Sequence, residues 1–102
     1  MRFCISIDDG HPDDLRIFSM LKEHGLLDIA TFYIAPYNRQ RPVMTPAQIK
    51  ELSEEVEIGA HTLTHPLLTQ IDSDEQNIEI QESKIILEEI TGKKITKFCY
   101  PR

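Results

Sequence analysis

Phe3-Cys4-Ile5-Ser6-Ile7-Asp8-Asp9-Gly10 opens the chain with a short run rich in β-formers and closes it on two carboxylates and a glycine. The run reads as a strand over Phe3–Ile7, with Asp8 and Asp9 just past its C-terminal end. In parallel α/β folds that end of the strands forms the working face. Gly10 allows the backbone to turn sharply while both aspartates stay near the turn. A second run, Val56–Ala60, delivers His61-Thr62-Leu63-Thr64-His65 at its own C-terminal end.

Outward from these two runs, strand and helix signals alternate. Asp13 and Asp14 are placed to cap and charge-stabilise a helix running to about His24. Leu15, Phe18, Met20 and Leu21 give that helix an apolar side, and Gly25 suits the position after its end. Ile29–Ala35 reads as a strand, and 36–44 as a polar loop with two prolines. Thr45-Pro46-Ala47-Gln48 carries a cap, a first-turn proline and the Gln of a capping box, with Ile49 and Leu52 facing inward. Ser73-Asp74-Glu75-Gln76 reads as a second capping box. It opens a long helix over about Asp74–Thr91, with a stripe of Ile80, Lys84, Leu87 and Thr91 widened by Ile78, Ile85, Ile86 and Ile90. Gly92 ends it, and Ile95–Cys99 reads as a fourth strand.

The order is βαβαβαβ, with connections long enough for right-handed parallel crossovers. Four strands do not close a barrel, which takes about eight. The chain is therefore expected to be a small open α/β sheet or an incomplete barrel. In the second case, self-association through uncovered sheet edges is expected.

The bulk properties set limits. At 102 residues, the chain is one small domain or a piece of a larger one. An apolar fraction of 40% and a charged fraction of 27% predict a folded chain. A net charge of -6 argues against a nucleic-acid partner held through phosphates. The first apolar run is too short for a signal peptide, and nothing reaches the ~18 apolar residues of a membrane span. The chain as given reads as soluble and cytoplasmic. Cys4 and Cys99 are expected to be free, buried thiols, because neither belongs to a Cys-x-x-Cys pair.

The chemistry rests on four side chains. His61 and His65 are spaced so that a tight turn sends both rings to one side, and Pro66 favours a turn over a continuing helix. Two neutral imidazoles and one carboxylate suit Zn²⁺ or a similar divalent ion, with a position left for water. Asp9 is the expected carboxylate ligand, which leaves Asp8 to accept a proton as general base. Each feature alone is also what a solvated turn or an incidental histidine pair looks like. Their joint occurrence at two strand ends points to a site.

These motifs resemble those of the polysaccharide deacetylases, the NodB homology domain of carbohydrate esterase family four. Ser6-Ile7-Asp8-Asp9-Gly10 is similar to the family's first motif, Thr-Phe-Asp-Asp-Gly, and His61-Thr62-Leu63-Thr64-His65 matches its second, His-Ser/Thr-x-x-His. Ala30-Thr31-Phe32-Tyr33-Ile34 resembles the second strand, and Glu79 through Gly92 the helix before the third motif. Phe98-Cys99-Tyr100-Pro101-Arg102 sits where that third motif begins. The resemblance implies a distorted (β/α) barrel and metal-dependent removal of N-acetyl or O-acetyl groups from a polysaccharide. Asp8 would be the base, with Asp9, His61 and His65 as ligands of a divalent metal, expected to be zinc. A metal-bound water would be the nucleophile, and an N-acetylated carbohydrate the partner. Tyr100 and Arg102 would bind substrate, the Tyr100 N–H facing the oxyanion.

Two departures qualify that reading. Cys99 stands where the family often has the Arg that steadies the base, and Arg102 where it has a Tyr. The family's later motifs, including a His that protonates the leaving amine, are expected beyond residue 102, so deacetylation by residues 1–102 alone is expected to be weak. Of the remaining histidines, His24 reads as a surface residue at a helix end, and His11 as a loop residue near enough to approach the site. Tyr33 is expected in the core and Tyr37 in the loop, with Arg39 and Arg41 on a solvated loop. The rival reading is a non-catalytic metal-binding or assembly module on a deacetylase-like scaffold.

Overall fold

The computed structural model describes residues 4–100. Its centre is a three-stranded parallel sheet in the order β1 (Ile5–Asp9), β2 (Ala30–Ile34), β3 (Glu57–Ala60). Helices α1 (Asp14–Glu23), α2 (Pro46–Ser53) and α3 (Ser73–Thr91) make or follow the crossovers. Single 3-10 turns lie at Leu27–Ile29 and Leu68–Gln70. The βαβαβα order is the expected βαβαβαβ without its fourth strand.

Register separates the two faces. Ile7, Phe32 and Ile58 align across the sheet, and Phe32 is fully buried. They pack with Ile34, Ile49, Leu52, Leu87 and Ile95 in one core, and Phe18 of α1 meets Phe32 edge-on at 6.4 Å. Side chains alternate along a strand, so the opposite face carries the rows Ser6–Thr31–Glu57 and Asp8–Tyr33–Gly59. That face is polar: Thr31 donates to Glu57, which also pairs with Lys97 at 2.7 Å. Tyr33 is only half-buried, lying over Gly59, where an added Cβ would come within 2.5 Å of the ring. Tyr33 thus belongs to the polar face and not to the core expected for it.

Helix α2 forms as its sequence dictates. The Thr45 hydroxyl accepts from the Gln48 N–H, the Gln48 side chain accepts from the Thr45 N–H, and Pro46 fills the first turn. Ile49 and Leu52 point inward, at 1% and 2% exposure.

Several boundaries differ from expectation. β1 runs through Asp9, so both aspartates are its last residues and do not follow it. Phe3 lies outside the described residues. Asp13 precedes α1 without a side-chain cap; its own N–H instead donates to His11 Nδ1 at 3.0 Å. Met20 is exposed, and the inner side of α1 is Leu15, Phe18 and Leu21. Asp72, not Ser73, caps α3, accepting from the Glu75 N–H at 2.8 Å. The buried stripe of α3 is Ser83, Leu87 and Thr91, while Ile78, Lys84 and Ile85 are exposed. Two small hydroxyl residues on that stripe bond back to helix carbonyls and let the helix sit close to its neighbours.

The expected fourth strand is reduced to one parallel bridge, Ala60 to Phe98. Ala60 donates to Lys97 O and accepts from Cys99 N–H, and regular pairing goes no further. Both cysteines are free, as expected, but Cys4 is exposed and Cys99 half-buried. No helix among the described residues is long and apolar enough to cross a membrane.

Candidate metal centre

Asp9, His61 and His65 converge. Asp9 Oδ1 lies 3.1 Å from His61 Nε2 and 2.9 Å from His65 Nε2, and the two rings are 4.9 Å apart. Their three ligand atoms all fall within 4.8 Å of one another. His61 is buried, and its Nδ1 lies 2.9 Å from the Cys99 carbonyl. A carbonyl only accepts, so Nδ1 carries the proton and the Nε2 lone pair faces Asp9. A lone pair and a carboxylate oxygen at that distance repel, so either a proton or a metal cation belongs between them. The donor set therefore fits a divalent metal: two imidazoles, one carboxylate and an outer hydrogen bond fixing the tautomer.

The backbone is strained where it presents these groups. Among the described residues the non-glycine positions with positive φ are Asp9 (88°), Thr62 (67°) and His65 (65°). Each costs about 1–3 kcal/mol and persists only where surroundings impose it. Thr62 is β-branched and fully buried; its hydroxyl donates to His61 O and accepts from the His65 N–H at 3.2 Å. Thr62 thus braces the turn from within, and the Thr64 hydroxyl ties it to Glu79.

Gly10 follows at φ +80°, and its Cβ, if added, would stand 2.7 Å from Ile34 Cγ2. Gly25 has a similar φ of +69° but open space around it. Gly25→Ala is expected to cost about 1 kcal/mol, and Gly10→Ala about 2 kcal/mol because the steric contact adds to the backbone term. Denaturant midpoints of the two variants check this; equal losses would show that Ile34 yields freely.

Asp8 is exposed, accepting from the Ser6 hydroxyl at 3.0 Å, with the Cys99 thiol 3.9 Å from its other oxygen. Burial pushes the Cys99 thiol up, and the Asp8 carboxylate adds to the rise. Cys99 therefore meets Asp8 as a neutral donor. Asp8, Asp9, His61 and His65 line one open cleft of about 460 Å³ with Gln40, Arg41, Leu67 and Tyr100. Arg41 Nη1 stands 3.6 Å from Asp9 Oδ2, so this loop arginine faces the site and not only solvent. Tyr100 is 69% exposed and packs edge-on against Phe98. Arg102 lies outside the described residues. His11 is occupied with Asp13 and does not line the cleft; Tyr37 and His24 are exposed.

Two further carboxylates, neither among the expected site residues, adjoin the site. Glu79 accepts from the loop that carries the histidines, and Asp14 lies buried under the Gly10 turn. Glu79 had a visible signal: it begins the stripe Glu79, Ser83, Leu87, Thr91, in steps of four.

The chain belongs to the polysaccharide deacetylase family, whose model matches residues 2–102. It is 32% identical over 92 residues to a peptidoglycan-N-acetylglucosamine deacetylase of Bacillus cereus, covering 86% of this chain and 31% of that protein. It superimposes on peptidoglycan deacetylase PdaC from Bacillus subtilis with a TM-score of 0.79 at 28% identity, over 96% of this chain and 48% of that one. The Streptococcus pyogenes deacetylase PplD shares the fold, with a TM-score of 0.84 at 24% identity over 96% of this chain and 45% of that one. The chain thus spans about a third of the curated relative's length and under half of either solved chain. It forms part of the deacetylase α/β barrel.

Proposed function

We propose that the chain supplies the metal-and-base part of a polysaccharide deacetylase that hydrolyses the amide of an N-acetylated sugar. The observation that carries this is the convergence of Asp9, His61 and His65 in a cleft that also holds Asp8. Asp9, His61 and His65 would hold a divalent cation, with zinc the ion best matched to this donor set. When bound, it supplies Lewis-acid polarisation of the acetyl carbonyl and makes water more acidic. Asp8 takes the proton from the attacking water. The Ser6 and Cys99 donors hold the Asp8 carboxylate in place without bringing a formal charge to it. Arg41 engages Asp9 Oδ2, which leaves Oδ1 directed at the histidines. The Tyr100 N–H, at the cleft wall, is the donor for the developing oxyanion. Arg102, two positions on in the sequence and outside the described residues, would also bind substrate. The substrate reading draws on the Bacillus cereus relative, a peptidoglycan-N-acetylglucosamine deacetylase by name.

The test is acetate release from an N-acetylglucosamine oligomer by a form of the protein spanning the full length of its relatives. The zinc-loaded form is expected to turn over and the chelator-treated form to stop until zinc is restored. Tight zinc binding with no acetate release from N- or O-acetylated oligomers would leave a non-catalytic metal-binding module on this scaffold.

A further inference from the structure

We propose that Glu79 is a positioning residue for the histidine pair, a clamp reaching from α3 that sets where His65 stands relative to His61. The inference rests on the metal reading above and extends it to a residue outside the cleft.

The loop after β3 must send two ring nitrogens to one point, and it does so through a backbone that would not hold itself. Thr62 and His65 occupy the left-handed region, and the only clamp internal to the loop is the Thr62 hydroxyl against the His65 N–H. Between them lie Leu63 and Thr64, whose peptide planes decide the direction in which His65 leaves. Glu79 Oε1 accepts from the Leu63 N–H at 3.0 Å and the Thr64 N–H at 2.9 Å, and Oε2 accepts from the Thr64 hydroxyl at 2.9 Å. Bonds to an ionised acceptor are the stronger kind, and here one side chain makes three. The carbonyls of the same two residues accept from the Tyr37 and Arg39 N–H groups, at 2.8 and 3.1 Å. The Leu63–Thr64 peptide plane is therefore held at both ends, its N–H by Glu79 of α3 and its carbonyl by the loop after β2, while the Thr62–Leu63 plane is held by Glu79 at its N–H and the Thr64–His65 plane by Arg39 at its carbonyl.

The anchor is rigid. Glu79 stands on the α3 stripe that continues through Ser83, Leu87 and Thr91, all buried. Its half-buried carboxylate is thus tied to the core. Outer groups that orient metal ligands typically change affinity by about 10–100-fold when removed.

Zinc titration calorimetry of wild type, Glu79→Ala and Glu79→Gln tests the proposal, with amide hydrogen exchange at Leu63 and Thr64 measured in parallel. Glu79→Ala is expected to weaken zinc binding about 10–100-fold while keeping its helical signal. Glu79→Gln is expected to stay within a few-fold of wild type, since its amide oxygen still accepts from both N–H groups and its NH₂ can donate to Thr64. A folded Glu79→Ala protein with unchanged zinc affinity would overturn the proposal, and so would equal losses in the Ala and Gln variants. If Glu79→Ala does not fold, Thr64→Val removes one arm of the clamp, and unchanged affinity there overturns it. If wild type binds no zinc, the metal reading fails by itself. The clamp is then judged by exchange: faster exchange of the two amides in Glu79→Ala or Thr64→Val supports it, and unchanged exchange overturns it.

Discussion

Asp8→Asn is expected to abolish most turnover while leaving zinc affinity near wild type, and His61→Ala and Asp9→Ala are expected to lose the zinc itself. The contrast follows from neighbouring residues facing different partners. Asp9 Oδ1 meets both histidines, whereas the Asp8 carboxylate meets Ser6 and Cys99. Removing a general base typically costs about 10²–10⁴ in rate. Removing His61 takes away a proposed ligand that is already buried and oriented through the Cys99 carbonyl, so little solvent reorganisation can replace it. Calorimetry gives the affinities, and acetate release by the longer form gives the rates. Loss of zinc binding in Asp8→Asn would put Asp8 among the ligands and remove it as the base. Retained binding in His61→Ala would mean the ion sits elsewhere.

Asp14→Asn is expected to stabilise the fold at neutral pH, by up to roughly 3 kcal/mol. Asp14 is 7% exposed at the start of α1, and its Oδ2 has no hydrogen-bond partner. Burial pushes its carboxyl up from 3.8 to about 6, and the Asp9 charge adds to the rise; His11 and the Gly10 and His11 N–H groups pull the other way. The fold thus prefers the protonated form. That contribution is fully present below pH 3.8 and is lost as pH rises through about 6. The neutral asparagine escapes the loss, so its advantage should be largest above pH 7 and shrink toward pH 4, tempered by an amide that needs its own acceptor. Denaturant midpoints across pH 3.5–8 check this, and a pH-independent difference would sink it. A cation beside Asp9 offsets the charge that raises Asp14, so zinc is also expected to narrow the gap between variant and wild type.

Much of this arrangement was legible because local rules act over short spans. The Thr45–Gln48 box, the inward Ile49 and Leu52, and the left-handed Gly92 each depend on residues a few positions apart. The Asp9, His61 and His65 cluster was legible for a different reason, since parallel strands bring their C-terminal ends to one edge. What escaped needed tertiary detail. Ile95–Cys99 has strand composition but pairs at only one bridge, because pairing depends on neighbours that composition does not reveal. Ile78 and Ile85 fit a helical stripe by type and lie outside it by angle; Ser83 takes the inner position, which close packing reserves for a small side chain. Arg41 sits in a loop whose path is set by hydrogen bonds to the loop after β3, and no periodicity predicts that.

Residue 99 divides its work between main chain and side chain. The carbonyl steadies His61, a task any amino acid at this position can perform. The thiol faces Asp8 at 3.9 Å and the Tyr100 carbonyl at 3.7 Å. Substitution there is expected to change the setting of the proposed base while the main-chain support of His61 in the candidate metal centre stays in place.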